Sequence, residues 1–135
     1  MMYNKITYQV IYGVVFVRIK YANRKVESQC TSLKEATKLF GGDKVLATSL
    51  LSRINAIKNA EVIMDIIKIT PYRFHKLEGK LNKYFAIDVK TRREKWRILL
   101  QPLDENDKPF VPCRIDEIAK IVKNVEIREV SPHYE

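Results

Sequence analysis

The N-terminal part of the chain has the composition of β-strands. Residues 6–19, ITYQVIYGVVFVRI, are rich in β-branched and aromatic side chains, which suit a pleated and half-buried surface. They predict one or two strands with a bend or bulge at Gly13. Because the apolar run is short and is interrupted by Gly13 and Arg18, it predicts neither a membrane span nor a signal peptide.

The spacing of apolar residues then becomes helical. Within residues 26–40 they recur every three to four positions, and they do so again within residues 44–60. Gly41 and Gly42 predict the end of the first helix, and Asp43 predicts the N-cap of the second. The pattern therefore predicts a helical hairpin.

After residue 71 apolar and polar side chains alternate with the period of strands. The predicted strands cover about 72–77, 83–90, 95–101 and 125–130. The polar, proline-bounded residues 102–112 predict a loop, and residues 114–122 predict a short helix. Together these elements predict an α+β fold, in which an N-terminal strand and a helical hairpin pack on a small, twisted, mainly antiparallel sheet.

Length and composition predict one globular domain over residues 1–135. The chain is 46% hydrophobic and 30% charged, as globular proteins are. Its two cysteines, Cys30 and Cys113, match no metal-ligand spacing and predict reduced thiols, with no metal site and no cofactor. The absence of an expected membrane or secretion segment predicts a cytoplasmic protein.

The charge of the chain is unevenly distributed. A net charge of +9 indicates an anionic partner, most often nucleic acid. Residues 72–97 hold nine basic side chains against three acidic ones, with aromatic residues between them. The candidate phosphate-binding cations are Arg73, Lys76, Lys90, Arg92, Arg93 and Lys95.

The same segment contains the side chains that metal-free RNA cleavage uses. Attack of a ribose 2′-hydroxyl on phosphorus needs a base, cations for the phosphoryl oxygens and an acid for the leaving 5′-oxygen. Histidine exchanges protons near neutral pH, and arginine offers forked donors to phosphate. His75, Arg73 and Arg97 therefore form a candidate site, to which His133 and Tyr134 add a second titratable pair.

Strand alternation gives this candidate site a possible geometry. Arg73 and His75 share one face of a predicted strand, and Lys95 and Arg97 share one face of another. If the two strands are antiparallel neighbours, the four side chains converge. The plainer interpretation stays open, since a strand histidine is often structural and cations on an outer face are often only solvated.

The order of these segments resembles the RelE/HigB-like toxins of bacterial toxin–antitoxin modules, within the RelE/ParE superfamily. The resemblance covers about residues 14–135 and is strongest in ESQCTSLKEATKLFG, LLSRINAIKNAE, FHKLEG, KWRILLQP and VEIREVSPHYE. It implies a small α+β domain with a helical hairpin on a twisted sheet. Residues 1–13 then form an N-terminal extension and residues 102–114 an inserted loop.

The resemblance also implies catalytic residues. The histidine of the family's H-x-L-x-G pattern falls on His75, and the arginine of its W-R pattern falls on Arg97. The C-terminal histidine and tyrosine of the family fall on His133 and Tyr134.

The chain departs from the family pattern at two acidic positions. Glu78 stands where many members have a lysine before the glycine, which leaves Lys76 as the nearby replacement. Asp88 stands where many members have an arginine. Because a carboxylate repels a phosphate, the missing cation would come from Lys90, Arg92 or Arg93, or the site is altered.

The function implied by the resemblance is that of a type II toxin, a ribosome-dependent mRNA endonuclease silenced by an antitoxin. The implied partners are the ribosome, mRNA and a helix-turn-helix antitoxin, with no membrane. Two alternatives stay open. One is a ParE-like toxin that poisons DNA gyrase, and the other is a non-catalytic basic domain that only binds nucleic acid or an antitoxin.

Overall fold

The computed structural model describes residues 8–133. Residues 1–7, which are most of the expected N-terminal extension, and the candidate residue Tyr134 lie outside that range. The described helices are α1 (Arg24–Thr31), α2 (Leu33–Leu39), α3 (Lys44–Lys58), α4 (Met64–Ile67) and α5 (Ile115–Ile118). The strands are β1 (Val10–Ile11), β2 (Val14–Val15), β3 (Arg18–Tyr21), β4 (His75–Lys76), β5 (Phe85–Asp88), β6 (Arg97–Leu103) and β7 (Asn124–Ser131).

The described strands form a short hairpin and a larger sheet. In the hairpin, β1 and β2 are antiparallel and joined by Tyr12 and Gly13, whose φ angles of 52° and 80° suit a two-residue turn. The larger sheet has five strands in the order β3-β7-β6-β5-β4. Only the β3–β7 pair is parallel. The prediction of an α+β fold with a mainly antiparallel sheet is confirmed.

The helices bury their apolar faces on one side of this sheet. Leu50, Ile54 and Ile57 of α3 belong to the same buried cluster as Ile87 of β5 and Ile98 of β6. The predicted cap of α3 is confirmed, since an Asp43 carboxylate oxygen accepts hydrogen bonds from the Val45 and Leu46 amides. Because α3 is anchored in this way, its polar face has a fixed position relative to the ends of β5 and β6.

The single helix predicted over residues 26–40 is wrong, because the structure breaks it into α1 and α2 at Ser32. Ser32 has extended backbone angles, and its hydroxyl accepts a hydrogen bond from the Glu35 amide. A serine followed three residues later by glutamate is a known helix-start signal, and here it overrides the continuous apolar period.

The loop predicted from residue 102 begins too early, because Pro102 and Leu103 continue β6. Pro102 pairs with Val125 of β7, whereas the pairing with β5 ends at Leu100. Beyond Leu100, β6 no longer pairs with β5, and Leu103 pairs with Asn124 of β7 and bridges to Pro109.

Between residues 8 and 133, no helix is both long and apolar enough to cross a membrane.

Candidate functional site

The face of the large sheet that points away from the helices carries a charged cluster. On this face Ala86 of β5 and Leu99 of β6 pack in a small cluster with Leu77. Since side chains alternate along a strand, Asp88 and Arg97 lie on the same face as Ala86 and Leu99. Asp88 and Arg97 therefore lie next to each other at one end of this face.

Asp88 is the centre of this cluster. It is 1% exposed, and its carboxylate faces two arginines. Arg73 donates from Nε to Oδ2 at 3.1 Å, and its Nη2 lies 3.1 Å from Oδ1. Arg97 Nε lies 3.2 Å from Asp88 Oδ1, as an ion pair without aligned hydrogen-bond geometry. Two guanidinium groups around one carboxylate leave an excess of one positive charge at this end of the sheet.

The contacts of Arg97 indicate a structural role. Its side chain is 4% exposed, and its guanidinium nitrogens donate to the main-chain oxygens of Glu94, of Trp96 at 2.9 Å and of Arg92 at 3.1 Å. These bonds fix the connection between β5 and β6. The predicted role of Arg97 as a phosphate-contacting catalytic residue does not match this burial, because a phosphate would have to displace these partners.

Arg73 is the more accessible of the two arginines, at 28% exposure of its side chain. It does not lie in a strand, as the sequence predicted, but follows a short 3₁₀ turn, Thr70–Tyr72, with a φ of +52°. A left-handed backbone is unusual for arginine and is held here by the two-point contact with Asp88. The guanidinium therefore has a set orientation at the surface of the sheet.

His75 is joined to Arg73 through the main chain. Its Nδ1 lies 2.7 Å from the Arg73 carbonyl oxygen. Because a carbonyl oxygen only accepts, Nδ1 is the donor in this hydrogen bond. The ring is half-buried, and its strand position pairs with Ala86. The imidazole is thus tied to the main chain of the residue whose guanidinium binds Asp88.

The condition set for the convergence of Arg73, His75, Lys95 and Arg97, that their two strands are neighbours, is not met. Strand β5 lies between β4 and β6, so His75 and Arg97 are on strands that do not touch. Lys95 precedes β6 and is exposed in the connecting loop. Asp88, on the intervening strand, is the residue that joins Arg73 to Arg97.

The remaining candidate cations are exposed at the surface. Lys76 lies on the edge strand β4, on the face opposite His75. The loop between β5 and β6 carries the exposed cations Lys90, Arg92, Arg93 and Lys95. The Asp88 end of β5 and the Arg97 end of β6 flank this loop, so its charge adjoins the cluster.

His133 reaches the same end of the sheet from β7. Ser131 pairs with Arg97, and the His133 amide donates to the Ser131 hydroxyl at 3.1 Å. The His133 residue is exposed. Tyr134, its predicted partner, lies outside the described residues.

Arg53 of α3 contributes to the site and was missed by the sequence argument. Its Nε donates to the main-chain oxygen of Asp88 at 3.0 Å and its Nη2 to that of Lys90 at 2.9 Å, while the guanidinium lies 3.9 Å from the centre of the Tyr72 ring. Ser49 donates to the Val89 oxygen at 2.5 Å. The only sequence signal was that Arg53 is the one charged residue between Lys44 and Lys58.

Residues 8–133 contain neither a reactive cysteine nor a group of side chains suited to a metal ion. Burial raises the pKa of the Cys30 thiol to about 12, and burial also raises the pKa of Cys113. Both thiols are therefore protonated and poorly nucleophilic near neutral pH. Among residues 8–133, no three His, Cys, Asp or Glu side chains form a group that could hold a metal ion.

Comparisons with protein-family models and curated proteins indicate no function for the chain. No protein-family model matches the chain, and no curated protein matches it significantly in sequence.

Proposed function

We propose that the protein is a cytoplasmic RelE/HigB-like toxin of a type II toxin–antitoxin module, which cleaves translated mRNA by metal-free attack of a 2′-hydroxyl. Its partners are then the ribosome, mRNA and a helix-turn-helix antitoxin. The order of the sequence motifs supports this assignment, and an α+β domain with a mainly antiparallel sheet is compatible with it.

One observation carries the proposal. His75 and Arg73 are joined by a 2.7 Å contact, and Arg73 is oriented by the buried Asp88. A base tied to the residue that supplies the cation provides two of the three groups that attack by a 2′-hydroxyl requires, and His133 is the candidate for the third, the acid. The exposed cations of the β5–β6 loop would draw the RNA backbone to this end of the sheet.

In this proposal each candidate residue has one role. His75 accepts the proton of the 2′-hydroxyl, whose oxygen bonds to phosphorus. Arg73 offsets the charge on the phosphoryl oxygens as the bond from phosphorus to the 5′-oxygen breaks. His133 in its protonated form donates to that leaving oxygen, and the product carries a 2′,3′-cyclic phosphate. Arg97 supports Asp88, and Tyr134 stays a predicted stacking or relay residue.

RNA binding without cleavage is a second candidate function. It is favoured by the burial of Arg97 and by the use of two Arg73 nitrogens in contacts with Asp88. In that case the basic loop and Arg73 would hold an RNA backbone, and His75 would have no chemical role.

Replacing Arg73 with alanine tests the cationic half of the site. We expect the rate of mRNA cleavage in a reconstituted translation reaction to fall by roughly 10²–10³, because one preorganised donor to the transition state is lost. The growth arrest caused by expression of the wild-type protein should disappear with it. Lys34→Ala is the control, since Lys34 is exposed on α2, outside the cluster.

Two results would contradict this proposal. An Arg73→Ala protein that folds and cleaves like the Lys34→Ala control would remove Arg73 from the site. Growth arrest without mRNA cleavage, accompanied by inhibition of DNA supercoiling in the absence of ribosomes, would favour the gyrase-poisoning alternative.

A further inference from the structure

A cavity of about 490 Å³ lies beside the edge strand β4, where the residues before α5 approach it. We call it the edge cavity. Its walls include the cations Lys76, Lys83 and Arg114 and the rings of Phe110 and Pro112. Among residues 8–133, those that line it include no carboxylate. Its volume is within the range of about 300–1,000 Å³ that small-molecule sites occupy.

The chemistry of the edge cavity suits a nucleotide. Phe110 is half-buried and packs on the main core, so the orientation of its ring is set before anything binds. Aromatic faces stack on nucleobases of any sequence, and the carboxamide of Asn82 on the rim can pair with a base edge. The three cations provide the positive charge that a phosphodiester backbone needs.

The cations of the edge cavity are available to a ligand at little cost. Lys76 and Lys83 are exposed. Arg114 makes one contact with Glu117, at 3.8 Å, in which both side chains are more than 60% exposed. Such surface ion pairs contribute little stability, so a phosphate can compete for the guanidinium.

The position of the edge cavity relates it to His75. Lys76 follows His75 on β4, and successive side chains of a strand point to opposite faces. Because β4 is at the edge of the sheet, a chain that passes His75 can cross the strand without meeting another one. The two sites are therefore on either side of one exposed strand.

We propose that the edge cavity is an RNA subsite, which stacks one unpaired base on Phe110, across β4 from the phosphate bound at Arg73. This inference rests on the proposed function and extends it to a substrate class, single-stranded RNA bound across the edge of the sheet. An acidic peptide is the less suitable occupant. Strand addition at β4 would find only two residues to pair with, and a peptide without rings makes no use of the aromatic wall.

The first test measures RNA affinity in the full-length His75→Ala protein, which binds without cutting. A short fluorescein-labelled single-stranded RNA is titrated, and its anisotropy gives Kd at several salt concentrations. With Lys83→Ala and Arg114→Ala added, we expect Kd to rise about tenfold. The slope of log Kd against log salt concentration should decrease by about one to two. The matched control removes two exposed cations from the α1–α2 side, as Lys25→Ala and Lys34→Ala.

The second test maps the base itself. RNA containing 5-iodouracil is irradiated with the His75→Ala protein, and the cross-linked peptide is identified by mass spectrometry. We expect the adduct on Phe110. A glutamate peptide of the same charge as the RNA is added as competitor before irradiation, and it should reduce the yield of the adduct only slightly.

The outcomes separate this inference from the proposed function. If the wild-type protein cleaves RNA but the Lys83/Arg114 variant binds RNA as the control does, the edge cavity is not a subsite and the nuclease proposal stands. If the protein cleaves no RNA but the Phe110 adduct forms, the subsite stands and the catalytic proposal fails. Complete displacement by the glutamate peptide would overturn the RNA subsite in favour of a peptide site.

Discussion

Replacing Asp88 with alanine is expected to lower the free energy of unfolding by about 3–5 kcal/mol, because it leaves buried positive charge without its partner. Asp88 is 1% exposed and Arg97 is 4% exposed, so water cannot replace the lost carboxylate without opening the end of the sheet. Urea unfolding at neutral pH, followed by circular dichroism, measures the loss. This loss measures the cost of removing one member of a buried group of charges. It does not measure how much the complete group contributes to stability.

Two further variants make this prediction specific. Adding Arg97→Met to Asp88→Ala removes the uncompensated charge, so the double variant should lose less stability than the sum of the two single changes. Glu117→Ala breaks an exposed ion pair with Arg114 and should cost less than about 1 kcal/mol. An Asp88→Ala protein as stable as Glu117→Ala would show that Asp88 does not hold the cluster together.

Replacing His75 with alanine is expected to slow mRNA cleavage by roughly 10²–10⁴, which is the usual contribution of a positioned proton-transfer group. RNA affinity should change little, because the phosphate is bound by Arg73 and the loop cations. Single-turnover cleavage in a translation reaction gives the rate, and anisotropy gives the affinity. The free energy of unfolding of the His75→Ala variant is the control for a loss of structure, since His75 is half-buried and lies on the edge strand of the sheet.

The result that would count against His75 is a cleavage rate within tenfold of wild type in a folded variant. Loss of binding together with loss of cleavage would instead indicate that His75 holds the RNA or the local structure. Arg73→Ala provides the contrast, because a cation that binds phosphate should affect both the affinity and the rate.

The sequence predicted the elements well because their signals are local. Alternation, helical spacing and the Asp43 cap each depend on residues within one or two turns of each other. The break at Ser32 was also local, and the Ser32–Glu35 pair would have revealed it. The extension of β6 through Pro102 was not local, since it depends on the pairing of Pro102 with Val125 of β7.

The candidate site was predicted in its composition and not in its arrangement. Sequence indicated His75, Arg73 and Arg97 but placed them on adjacent strands, and only the strand order shows that β5 intervenes. Asp88 was expected to oppose phosphate binding, because a carboxylate repels a phosphate. The sequence did not show that Arg73 and Arg97 both contact this carboxylate, which orients Arg73. Arg53 acts through main-chain oxygens, for which sequence carries almost no signal.

The chemistry at the ends of the RNA fragments tests the central claim most directly. Fragments made by the wild-type protein in a translation reaction are analysed by mass spectrometry, with the His75→Ala protein as the background. If a 2′-hydroxyl attacks the phosphate, the upstream fragment ends in a 2′,3′-cyclic phosphate or its hydrolysis product, and the downstream fragment begins with a 5′-hydroxyl. Fragments with 3′-hydroxyl and 5′-phosphate ends, or no fragments beyond the His75→Ala background, would contradict the account.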